Sequence, residues 1–173
     1  MVATTEIALA IVEALASFTC PVVYDPVMAA SNGSPLYHGS LDALWSLAMR
    51  ATLVTPNLAE AGAFLNKTIR TVEDAHNAAV QFKEAGIAAV LVKGGHLEGE
   101  AVDFLVDADG EQQFVLPRIA GPSPRGTGCA LASSISVGLS QGKSLREAIH
   151  LAKHWLSERI ALARPVNEEW HLE

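Results

Sequence analysis

The chain has little sulfur chemistry: its only cysteines are Cys20 and Cys129, far apart and in unlike settings. That suits a reducing cytoplasm better than a disulfide framework. It is also short of positive charge. Twelve Lys and Arg stand against 19 Asp and Glu, for a net charge of −7, and a nucleic-acid partner would need a basic face. No apolar run approaches the roughly 20 residues of a membrane span. No basic stretch precedes the first apolar segment, so there is no signal-peptide pattern. Charged residues are only 18% of the chain while 50% are hydrophobic, which excludes disorder and suits a well-buried fold. Internal repeats and low-complexity tracts are absent. So is the P-loop pattern of glycines followed by Lys-Ser or Lys-Thr, and a nucleotide site here would be of another type.

What is present is an alternating α/β pattern over 173 residues, a length that fits one domain. Ile7, Ile11 and Leu15, with Ala8 and Val12, recur at helical spacing behind Thr4 and Thr5. Val22–Tyr24 is an apolar strand running into Asp25-Pro26-Val27-Met28, and residues 29–39 are loop by composition. A short helix over 40–47 leads to a strand at 51–55, stopped by Pro56. Asn57 opens a helix to Leu65, Thr71 another to Gly86, each with capping-box spacing. Ala88–Val92 is a continuous apolar strand of the kind a sheet covered on both faces requires. Residues 102–106 and 113–116 form a hairpin around Asp107-Ala108-Asp109-Gly110. A buried helix runs from the 126–129 turn to Leu139. Ser144 and Glu147 have capping-box spacing before a last helix with a Leu145, Ile149, Ala152, Leu156, Ile160 stripe. The order implies an α/β protein with a mainly parallel sheet flanked by helices. The chain enters this pattern at a helix with no strand before it, as expected of part of a domain. Its Leu172-Glu173 ending fits either native sequence or a remnant of a cloning vector.

The most distinctive stretch is Pro124-Arg125-Gly126-Thr127-Gly128-Cys129. Glycines at 126 and 128 let backbone N–H groups converge, and the helix that starts there adds its positive dipole end. This reads as an anion hole with a thiol at its lip, a thiol whose pKa a helix N-terminus lowers. Asp25, Glu60 and Lys93 follow strands or open helices, positions that converge on one edge of a parallel sheet. Phosphoryl transfer needs such a set: acids for Mg²⁺, a cation for phosphate oxygens, and backbone donors for developing charge. Simpler readings exist for each residue. Asp25 could shape a turn before Pro26, Glu60 could merely complete the cap of Asn57, and Lys93 could be a solvated strand end. Gly94-Gly95 beside Lys93 suggest close approach of a ligand. His96 fits a loop, Cys20 a structural position, and Cys129 a small core residue.

Four motifs, Asp25-Pro26-Val27-Met28, Thr55-Pro56-Asn57-Leu58-Ala59-Glu60, Val90-Leu91-Val92-Lys93-Gly94-Gly95-His96 and Gly126-Thr127-Gly128-Cys129, carry a resemblance. In this order they resemble the hydroxymethylpyrimidine/phosphomethylpyrimidine kinases of the ribokinase superfamily, thiamine-biosynthesis enzymes. The resemblance implies a ribokinase-like sheet with the N-terminal part of the fold missing, residues 1–173 forming a partial kinase domain. It implies ATP and Mg²⁺ as cofactors, a pyrimidine substrate, a cytoplasmic setting and a homodimer, with no nucleic-acid or membrane partner. Gly126, Thr127 and Gly128 would form the anion hole, Thr127 also contacting the nucleotide, and Cys129 would stand in the catalytic base position. Lys93 would contact phosphate, Lys153 the nucleotide, and Asp25 and Glu60 the metal. Val27 and Met28 would lie near the pyrimidine. Arg125 stands where the family usually has histidine. With the substrate half lacking, the chain alone is expected to turn over weakly or not at all.

A pyridoxal kinase of the same superfamily is the rival within the class. From other classes come a cysteine hydrolase, with Cys129 as nucleophile and His38 or His96 as base, and a non-catalytic binding module.

Overall fold

The computed structural model describes residues 1–95, 97, 99–121, 124–167 and 169–172. Thirteen elements follow in order: α1 (Thr5–Leu15), β1 (Val23–Tyr24), α2 (Leu41–Ala48), β2 (Leu53–Val54), α3 (Leu58–Leu65), α4 (Val72–Glu84) and β3 (Val90–Lys93), then β4 (Ala101–Asp107), β5 (Gly110–Leu116), α5 (Thr127–Ser140), α6 (Leu145–Ala161), β6 (Arg164–Val166) and β7 (Glu169–His171). They fall into two compact units, residues 1–115 and 116–173. Among the described residues no helix is long and apolar enough to cross a membrane.

The first unit holds a five-stranded sheet in the order β1-β2-β3-β4-β5. Its first three strands are parallel, Val23 opposite Leu53 and Val54 opposite Val90. Beyond β3 the direction reverses, Val90 pairing with Val106 and Lys93 with Asp103. The sheet is therefore mixed, because the 101–116 segment is a hairpin and returns antiparallel without the crossover a parallel neighbour needs. Val90, Leu91 and Val92 are each 0% exposed, as expected of a strand covered on both faces.

Three of the chain's few aromatic residues tie the helices of this unit together. Trp45 of α2 meets Phe64 of α3 edge-on at 5.0 Å between ring centres, and both lie within 5.5 Å of Phe82 of α4. On α1 the inward stripe is Ala8, Ile11, Val12 and Leu15. Ile7, read from the sequence as part of it, is 44% exposed: it lies one helical step outside the i, i+3, i+4, i+7 face that begins at Ala8.

The second unit pairs α5 with α6 and adds an antiparallel hairpin, β6–β7, which the sequence reading did not anticipate. Gly138 of α5 allows close packing, since a Cβ there would stand 2.9 Å from that of Ala148. The capping box read at Ser144 is half made. Its hydroxyl accepts from the Glu147 N–H, while the Glu147 carboxylate pairs with Lys143 at 3.3 Å.

Candidate functional site

In an open parallel sheet, ligand chemistry collects beyond the C-terminal strand ends. Here β1, β2 and β3 deliver Asp25, Thr55 and Lys93 to that edge. Lys93 Nζ donates to Asp25 Oδ1 at 2.7 Å, and Thr55 Oγ1 donates to the same oxygen at 3.1 Å. The Asp25 and Lys93 side chains are only 11% and 13% exposed, and Thr55 is fully buried. A charge taken from water must be paired, and Asp25 is paired through one oxygen. The other, Oδ2, is buried without a hydrogen-bond partner among the described residues. Two of the three charged candidates of this unit thus form one ion pair across three strands. Thr55 belongs to the same group and was missed; its position just before Pro56 was the available signal.

Glu60 is the third. The pattern that starts α3 is a full capping box: the Asn57 side chain accepts from the Glu60 N–H at 2.9 Å, and the Glu60 carboxylate accepts from the Asn57 N–H at 2.7 Å. One carboxylate oxygen therefore serves the cap. Yet Glu60 is 6% exposed, deeper than a cap alone requires. Burial raises its pKa to about 7; Lys93 and the Asn57 hydrogen bond oppose the rise, and Asp25 adds to it. Near neutrality this group is poised between its two charge states. Asn57 also pairs with Lys93 as a parallel bridge, and the Lys93 N–H donates to the Pro56 carbonyl at 2.9 Å, fixing α3 to the end of β3.

Gly94 has a different reason from the one its sequence suggested. A Cβ at this position would collide with the Val102 carbonyl oxygen of β4, and its N–H donates to Asp103 Oδ1 at 3.0 Å. The close neighbour is the chain itself. A Cβ at Gly95 would meet nothing within 4 Å. His96 lies outside the described residues. Met28 packs against the core of this unit, and its carbonyl accepts from the Leu36 and Tyr37 N–H groups at 2.8 and 3.2 Å. Val27 is half-buried beside it.

In the second unit, Gly126 caps α5 in the left-handed region, φ 79°, ψ 9°, which a side chain would resist. In the other five described helices a first-turn N–H donates to the N-cap side chain, of Thr4, Ser40, Asn57, Thr71 and Ser144. Helix α5 has none. Thr127, Gly128 and Cys129 form that first turn, the part of a helix that attracts anions. Cys129 is exposed, so it is not the core residue that one reading allowed. Lys153 lies on α6 and is 7% exposed. Among the described residues no group of three or more His, Cys, Asp or Glu side chains could hold a metal.

These features define a class before they define a family. The fold matches the Bacillus subtilis pyridoxal kinase solved as an ADP complex, with a TM-score of 0.89 and 28% identity, over 100% of this chain and 67% of that one. A phosphomethylpyrimidine kinase from Clostridium difficile matches with a TM-score of 0.72 and 34% identity, over 91% and 65%. In sequence, a thiamine biosynthesis bifunctional protein of Geobacter sulfurreducens is 43% identical over 84% of this chain and 30% of its own. The hydroxymethylpyrimidine/phosphomethylpyrimidine kinase of Aquifex aeolicus is 35% identical over 99% and 69%. The family model "Phosphomethylpyrimidine kinase" matches residues 1–171, and the chain belongs to that family. It spans about two thirds of the kinases it matches and under a third of the bifunctional relative.

Proposed function

We propose that this chain carries the phosphate- and nucleotide-handling part of an ATP-dependent kinase that phosphorylates hydroxymethylpyrimidine and then its monophosphate. The observation that supports it most is the buried group Asp25–Lys93–Thr55 with Glu60 beside it, in a chain of this family. In the proposed reaction the acceptor hydroxyl oxygen bonds to the γ-phosphorus as the bond to the ADP leaving oxygen breaks. The α5 first turn, Thr127 to Cys129, stabilises charge on the transferring group with backbone N–H donors. Lys93 neutralises phosphate oxygens. Cys129 takes, or orients, the acceptor proton, Lys153 serves the nucleotide side, and Val27 and Met28 border the pyrimidine.

The residues fit Mg²⁺ in its usual manner, through one or two carboxylates with water and phosphate oxygens. Asp25 Oδ2 is a buried oxygen without a hydrogen-bond partner among the described residues, and Glu60 is the second carboxylate. When bound, the ion would offset charge on the phosphates. Lys93 already occupies Asp25 Oδ1, so contact through water suits Asp25 better than a full set of direct bonds.

The similarity to a pyridoxal kinase with a TM-score of 0.89 favours a second reading, pyridoxal as acceptor. A coupled ADP-release assay with each acceptor separates the two. We expect the pyrimidine to be preferred and turnover by this chain to be weak. Preference for pyridoxal would favour the second reading, and full turnover would refute the assignment of only part of the reaction.

A further inference from the structure

We propose that His150 and His154 of α6 form a two-histidine chelate for a late divalent transition-metal ion, Cu²⁺ foremost. Neither residue belongs to the kinase chemistry assigned above, so the inference stands apart from it.

The two histidines lie four positions apart in the interior of a 17-residue helix, Leu145–Ala161. At about 3.6 residues per turn, that spacing places one side chain over the other on a single face. Their ring centres are 4.4 Å apart and the ring planes are inclined at 59°. Both residues are exposed. The buried side of α6 carries Ala148, Ile149, Ala152 and Lys153, so the pair looks away from the packing. Among the described residues neither ring has a hydrogen bond or an ion pair, which leaves ring nitrogens open to a ligand from solvent.

The ring separation selects the ion. A metal–imidazole bond of about 2.0–2.1 Å puts the ion roughly 3.2 Å from each ring centre. With the centres 4.4 Å apart, the two bonds then meet near a right angle. That is the angle between neighbouring corners of a tetragonal site, which suits Cu²⁺ and Ni²⁺, and it is narrower than the tetrahedral angle that Zn²⁺ favours. Imidazole is a good ligand for all three ions, and affinity peaks at Cu²⁺. Once one ring binds, the second is already held beside the ion by the helix, so the second bond forms within the molecule. Among the described residues no third His, Cys, Asp or Glu joins the pair. Water therefore fills the remaining corners, and the ion stays open to exchangeable ligands.

The test is calorimetric titration of Cu²⁺ into the full chain in a non-coordinating buffer, with thermal unfolding of each variant as a folding control. The set is wild type, His150→Gln, His154→Gln, and a rearranged variant that joins His154→Gln to Leu151→His. Leu151 is 44% exposed, so the surface tolerates the exchange. Expected is one ion per wild-type chain, bound about 100-fold more tightly than by either single variant, the gain of an intramolecular second bond. The rearranged variant keeps the number of histidines but not their spacing, and should bind like the single variants. Paramagnetic resonance of the Cu²⁺ form should report two nitrogen donors in the wild type and one in each single variant. The proposal is overturned if either single variant or the rearranged one binds as wild type does, or if the wild type takes one ion per two chains. Zn²⁺ bound as tightly as Cu²⁺ would overturn the right-angle geometry.

Discussion

Lys93 and Asp25 are close to the limit of what a protein interior tolerates, two charges with 13% and 11% of their side chains exposed. Removing one partner strands the other, which costs about 3–5 kcal/mol in such pairs, whereas an apolar replacement of both is often near neutral. Lys93→Met should therefore lower the urea midpoint sharply, and Lys93→Met with Asp25→Leu should recover much of the loss. A double variant no more stable than the single would show that the pair adds nothing as a pair. Glu60 gives a second test, through pH. Its pKa in the fold is about 7, against an ordinary 4.5, so the fold binds its proton more tightly than the unfolded chain does. The resulting stability is present in full below about pH 4.5 and is lost as pH rises through 7. Glu60→Gln keeps the capping acceptor but not the titration. Relative to it, wild type should lose about 3 kcal/mol between pH 4.5 and 7.5, read from denaturant unfolding at each pH. Parallel profiles would remove Glu60 from the poised state described here. Much of this site was legible, because Asp25, Glu60 and Lys93 follow apolar strands or open a helix. What was not legible is that Lys93, 68 positions from Asp25, shares one Asp25 oxygen with Thr55. Chain spacing carries no distance of that kind, so the partner had to come from the register of three strands.

Among the elements, local chemistry was the readable part. Asn57 and Glu60 announced the start of α3, and the Asp107–Gly110 turn announced a hairpin, because capping and turn residues act over three or four positions. Long-range pairing was less readable. The β6–β7 hairpin consists of two three-residue strands, one containing Pro165, and its turn signal is Asn167 at φ 48°. Nothing in Arg164–Val166 alternates enough to mark a strand. The two glycines after Lys93 make a sharper case. Sequence gave them one shared purpose, whereas only Gly94 abuts the Val102 carbonyl. Gly94→Ala must displace β4 backbone and should cost about 1–3 kcal/mol. Gly95→Ala should be neutral or slightly stabilising, through the unfolded chain. Thermal unfolding of the two variants checks the contrast, and equal effects would contradict the β3–β4 packing described.

For the molecule as a whole, the family is shown while the activity of this chain remains the proposal, since it spans about two thirds of the kinases it matches. Composition had limited the options early: an acidic, apolar-rich chain with two distant cysteines argues against disorder, a disulfide framework and a nucleic-acid partner. The mixed character of the sheet came only with the hairpin pairing back onto β3. The central claim is that this chain handles phosphate through a nucleotide. It is tested most directly by calorimetric titration of ADP, with Mg²⁺, into the folded 173-residue chain. Saturable one-to-one binding, weakened by Lys93→Ala, is the expected result. A folded chain that shows no heat of ADP binding would contradict the claim.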